Sequence, residues 1–88
     1  MDSKNAPWFP VHYELADVNA VRALQAGTAS PEQQQRALRW IVEKACGTYE
    51  LSYRPTSDRD TSFAEGRRFV GLQVVKMLHT DTSVLRKE

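Results

Sequence analysis

Cysteine is almost missing from this chain of 88 residues: Cys46 stands alone, so no disulfide can close within it, which fits a reducing compartment. A surplus of charge of one sign is missing as well. Twelve basic against eleven acidic residues leave a net +1, which gives no global field for drawing in nucleic acid or an anionic membrane. The longest apolar run, FVGLQVVKML at 69–78, is too short and too interrupted to cross a bilayer, so no membrane role is expected. The opening MDSKNAPWFP lacks the basic and apolar regions of a secretory signal, and these absences together predict an intracellular soluble protein. Repeats, low-complexity tracts and interdomain linkers are absent too. What remains is one small domain, which should bury only about 60% of the surface its unfolded chain exposes, so its stability is modest unless a partner helps.

Three helices are written into what is present. Residues 1–12 form an arm in which Pro7 and Pro10 bracket Trp8 and Phe9, and the prolyl angles and missing amide donors predict an extended, aromatic segment. A helical domain over 13–78 follows. Its first helix runs from about Glu14 to Ala26, with Leu15, Val18, Val21 and Leu24 at helical spacing, entry near Asp17 and Gly27 as C-terminal cap. The second has the clearest start signal: Ser30 caps, Pro31 suits the first helical position, and Gln33 stands three residues on, opening a helix to about Cys46. Its apolar stripe is Ala37, Leu38, Ile41, Val42 and Ala45, and Trp40 falls on the polar side.

Past Gly47, YELSYR alternates Tyr49, Leu51 and Tyr53 with polar residues, the period of a short strand. RPTSDRDT is a polar turn region, and Ser62 with Glu65 then reads as a capping box opening the third helix, which runs to about Leu78. Residues 79–88 are a polar tail. The expected architecture is all-α: a small three-helix bundle with an extended aromatic arm.

On a wheel with Phe63 at zero, Val70, Val74, Met77 and Leu78 fall within about 60° and define the expected buried stripe. Gly66 and Gly71 land at its edges, where glycine lets a neighbouring helix come close. Arg67 projects into the stripe and should need a carboxylate or carbonyl partner, whereas Arg68 points to solvent. Phe69 and Leu72 form an apolar pair on the opposite side, beside Lys76. Trp8, Phe9, Trp40, Phe69 and Leu72, with Arg68 and Lys76 as polar rim, thus make a candidate partner-binding set; the plainer reading folds the arm and YELSYR over Trp40 and Phe69 as a lid.

Catalytic chemistry finds little support. GRRFVG lies inside a helix and lacks the strand-to-helix turn of a nucleotide fingerprint. His12, His79 and Cys46 have no metal-ligand spacing, turn formation and helix-dipole compensation account for Asp58, Asp60 and Glu65, and no nucleophile is paired with a base. Neither an enzyme, a cofactor nor a metal site is expected. Nucleic-acid binding is the rival: Arg36, Arg39 and Lys44, with Arg68 and Lys76, could contact phosphates around Trp40, although Glu32/Arg36 and Arg39/Glu43 also have the spacing of ion pairs on a solvated face.

ALQAGTASPEQQQRALRWIVEKACGTYELSY followed by TSFAEGRRFVGLQVVKML resembles a family of short, uncharacterised proteins of tailed bacteriophages. The matching positions are Gly27, Gln33, Gln34, Trp40, Ile41, Gly47, Phe63, Gly66, Arg67, Arg68, Val70 and Gly71, over about residues 24–78. Members look like products of the packaging and virion-morphogenesis region of phage genomes. The resemblance implies a protein that docks on a portal, terminase or capsid component, or on copies of itself, in the host cytoplasm during infection or within the virion. It carries no catalytic residue. Contact with DNA as a packaging accessory, and inhibition of a host defence or host enzyme, are the alternatives it leaves open.

Overall fold

The computed structural model describes residues 10–53, 55 and 57–85, the side chain of Val84 excepted. Trp8 and Phe9 lie outside the described residues. Helix α1 spans Leu15–Ala26, α2 spans Pro31–Arg39 and continues as a π-helical segment over Trp40–Ala45, α3 spans Asp58–Leu78, and a single turn, α4, spans Thr82–Leu85. The chain is mostly helical, and there is no strand among the described residues.

Helix α1 starts earlier than Asp17. Glu14 is the extended N-cap residue, and Asp17, three residues on, accepts a hydrogen bond from the Glu14 backbone N–H at 2.9 Å. Asp17 therefore serves inside the first turn, where a carboxylate complements the free amide donors. At the other end Gly27 takes φ 76°, and the amide of Thr28 reaches back to the Ala23 carbonyl at 2.9 Å, a left-handed termination that favours glycine. The second start signal is realised as read: Gln33 N–H donates to Ser30 Oγ at 3.1 Å, and Ser30 N–H donates to Gln33 Oε1 at 3.0 Å.

The predicted helix 31–46 is not uniformly α. From Trp40 its turns widen, and the Cys46 amide bonds to the carbonyl of Ile41, five residues back, at 2.9 Å. The widened turn delivers the chain into a tight exit. Gly47 adopts φ 57°, and Thr48 folds back so that its hydroxyl donates to the Val42 carbonyl at 2.6 Å, satisfying an acceptor at the helix end.

Residues 49–53 of YELSYR do not form a strand. Among the described residues no second strand exists to pair with it, and a lone extended segment has no ladder to stabilise it. Residues 49–53 instead run as a strap held to α3: Ser52 hydrogen-bonds the Glu65 carboxylate, and Glu50 pairs with Arg67 at 3.7 Å. Helix α3 begins before the predicted Ser62/Glu65 box. Ser57 is the cap, its Oγ accepting from the Asp60 amide at 3.1 Å, with Asp58 and Asp60 placing negative charge in the first turn.

The packing corrects the wheel drawn from hydrophobicity. Phe63, Val70, Met77 and Leu78, expected in the buried stripe, are exposed, while the inward face of α3 carries Asp60, Ala64 and Gly71. The cause is the closeness of approach. A methyl at Gly71 would collide with Thr48 Oγ1 and lie 2.8 Å from the Cβ of Cys46, so only a face of small residues can seat against the Cys46–Thr48 turn. Gly66, by contrast, faces open space.

Packing runs along a shared rod: α1 lies on α2, and α3 lies on the π segment. The buried apolar residues are Ala20, Ala37, Val42, Cys46 and Ala64, four of which are no larger than cysteine; Leu38, expected in the stripe of the second helix, is exposed. Among the described residues the largest fully buried side chain is that of Thr48. No helix among the described residues is long and apolar enough to cross a membrane.

Candidate docking surface

The outward face of α3 presents an open apolar surface. At 100° per residue, Gly66, Phe69, Val70, Gln73 and Met77 fall within a strip about 100° wide, and Phe69, Val70 and Met77 are 62%, 55% and 76% exposed. From Gly66 to Met77 the strip runs about 17 Å along the helix and is narrow. It exists because the close contact at Gly71 fixes which side of α3 turns inward; the bulky residues, spaced for the other side, are left outside.

Of the sequence-predicted partner set, Phe69 and Lys76 are exposed as expected. Leu72 is half-buried and belongs to the margin of the packed face, so the proposed outer pair with Phe69 is not formed. Arg68 is not a free rim residue. Its Nε donates to the Thr48 carbonyl at 3.1 Å, and its Nη1 lies 3.8 Å from Glu65. It fastens α3 to the turn after the π segment, a charge-assisted bond of the stronger kind. Arg67 does similar work from the next position, its guanidinium lying over Gly47 and reaching Glu50.

Trp40 sits at the junction of the amino-terminal residues and the rod. Its Nε1 donates to the His12 carbonyl at 3.1 Å, and its ring meets Tyr13 edge to face with centroids 6.4 Å apart. Residues 12–13 thus cover part of Trp40. Beside it a groove of about 340 Å³ is lined by Arg36, Arg39, Lys44, Glu14, Asp17 and Glu43 among others. Three cations and three carboxylates share that groove. Arg36 is already committed: Nε is 2.8 Å from Asp17 Oδ1 and Nη2 is 3.7 Å from Glu14. The hydrogen bond from the Glu14 amide, and then the Arg36 guanidinium, outweigh burial and hold the Asp17 carboxyl below its ordinary value. The basic trio read from the sequence is therefore a mixed-charge surface tying α1 to α2, with Arg39 and Lys44 its exposed members.

Residues that sequence reasoning missed are the small and polar ones around the close approach at Gly71: Cys46, Thr48 and Asp60. The signal was there in the spacing of Asp60, Ala64, Arg67, Arg68 and Gly71, a helical stripe of small and charged residues that a hydrophobicity wheel passes over. Among the described residues, no three His, Cys, Asp or Glu side chains gather as metal ligands would. No family model matches the chain, and neither a curated protein nor a solved structure matches it.

Proposed function

We propose that this chain is a small bacteriophage protein that works by docking on another protein during virion assembly or as part of the virion. The phage assignment rests on the sequence resemblance. The docking mode rests on one observation: the buried apolar set is nearly all small, whereas large apolar residues on α3, at Leu15, and at Tyr49 stay exposed. Fully covering a Phe, Val or Met side chain is worth about 1.5–3 kcal/mol each, so a partner seated on Phe69, Val70 and Met77 has a real driving force. Contiguous apolar surface of this kind marks interaction sites in soluble proteins. In this reading the closed three-helix bundle with its aromatic arm is completed only in the assembly, with Trp8, Phe9, Trp40 and Phe69 as apolar contacts and Lys76 as polar rim.

The experiment is binding to purified portal, terminase and capsid proteins, together with mass spectrometry of purified particles to find the protein and its copy number. Binding that Phe69→Asp abolishes while the helical signal is kept supports the reading. Capture of a host enzyme in place of any phage protein points to the inhibitor alternative. Binding to DNA that falls steeply with salt and is lost in Arg39→Glu points to the packaging accessory, for which Arg39 and Lys44 are the cations that remain exposed in the groove.

A further inference from the structure

The charges beside the α3 strip say what kind of surface would fit it. Asp58, Glu65 and Lys76 project along one border, within about 20° of one another on the helix, and all three are exposed. The two carboxylates lie toward the amino-terminal end and the lysine toward the carboxy-terminal end. A second α3 laid alongside in the same direction about a two-fold axis would put the two charged borders on opposite sides of the seam, where Lys76 meets neither carboxylate of the other copy. Laid in the opposite direction about a two-fold axis near Phe69, it sets Lys76 of each copy midway between Asp58 and Glu65 of the other.

Three further features agree with that register. The Phe69 rings meet at the axis, and Gly66, one turn away, has open space where each ring can settle. Arg59 lies at the amino-terminal end of the same strip and would face the carboxy-terminal turn of the other α3, the negative end of the helix dipole. An isologous pairing satisfies every one of these contacts twice. Resting on the docking reading, we propose that the occupant of this strip is a second copy of the chain, paired antiparallel through α3. The strip from Gly66 to Met77 is about 17 Å long and roughly 10 Å wide, well below the roughly 800 Å² per partner of a standard interface. Pairing is accordingly weak and concentration-dependent, suited to copies held close together in a larger assembly.

Sedimentation equilibrium of the full chain from ~10 μM to ~1 mM tests this, with far-UV circular dichroism to show that each variant is folded. Wild type should pass from monomer to dimer across that range. Lys76→Glu should raise the dimer dissociation constant by about tenfold or more, and adding Asp58→Lys to it should restore it to within about threefold. Gly66→Arg, at a position with open space around it, should keep the monomer folded and abolish the dimer. Monomer mass at every concentration overturns the proposal, as does a folded double charge swap that stays monomeric. A monomeric chain still captured through Phe69 by a portal or capsid protein overturns self-pairing while leaving the docking reading intact; a dimer that binds no phage protein does the reverse.

Discussion

Alanine at Gly66 and alanine at Gly71 should move stability in opposite directions, although both replace a glycine within the same helix. Relieving a helix of an interior glycine is worth about 1 kcal/mol. At Gly66 the new methyl meets nothing within 4 Å, so that gain is realised whole. At Gly71 the methyl collides with Thr48 Oγ1 and sits 2.8 Å from Cys46 Cβ and 3.0 Å from Thr48 Cβ. Thr48 cannot step aside without giving up its 2.6 Å hydrogen bond to the Val42 carbonyl. Overpacking of this kind costs about 1–3 kcal/mol, and losing the hydrogen bond adds about 1 kcal/mol, so the net change is a loss of about 1–3 kcal/mol after the propensity gain. Urea unfolding followed by circular dichroism reads both variants from their midpoints. In a domain of this size the two melting temperatures should separate by about 8 °C or more. Thr48→Ala combined with Gly71→Ala should be more stable than the sum of the single changes, because the oxygen in the way is gone. A Gly71→Ala protein as stable as Gly66→Ala would refute the inward orientation of α3.

Acid should loosen the α1–α2 contact. Asp17 has a folded value below its unfolded one, so its contribution is present above about pH 4 and is lost as pH falls through the lowered folded value; Asp17→Asn should remove that part of the acid limb in unfolding midpoints measured from pH 2 to 6. Trp40→Phe keeps a ring against Tyr13 but deletes the bond to the His12 carbonyl, and should cost about 1 kcal/mol while speeding amide exchange over residues 12–15. Arg68→Met should cost about 1.5–3 kcal/mol by removing a charge-assisted bond to the Thr48 carbonyl, whereas Lys76→Met should change monomer stability by less than about 0.5 kcal/mol.

Sequence reasoning reached the elements whose signals are local. Ser30, Pro31 and Gln33 define a helix start by chemistry confined to one turn, and Gly27 ends α1 through its own backbone preference. What escaped depended on contacts distant in sequence. The choice between Ser57 and Ser62 as the start of α3 could not be made from spacing alone, because both precede acidic residues three positions on. The inward side of α3 is decided by steric fit to a turn some twenty residues earlier, and fit at that distance selects Ala64 and Gly71 over Phe63 and Val70. The alternation in YELSYR is genuine, yet alternation makes a strand only where a neighbour completes the ladder. For the candidate surface, Phe69 and Lys76 were legible as outward residues, while Arg68 was not legible as a tie because its acceptor is a backbone carbonyl that the sequence does not mark.

The π-helical segment at Trp40–Ala45 works as a gear between the halves of the molecule. Everything before it is fixed to α1, and everything after it carries α3, so the wider pitch of the segment, with its hydrogen bond reaching five residues back, sets how the second half leaves the first. The direction in which the Phe69 strip faces, measured from Trp40 and the α1 surface, is thus set by the pitch of this one segment. Deleting one residue there would return the segment to α pitch and withdraw the turn of Cys46 and Thr48 from Gly71, which would keep the α1–α2 half folded while changing how the docking face is held.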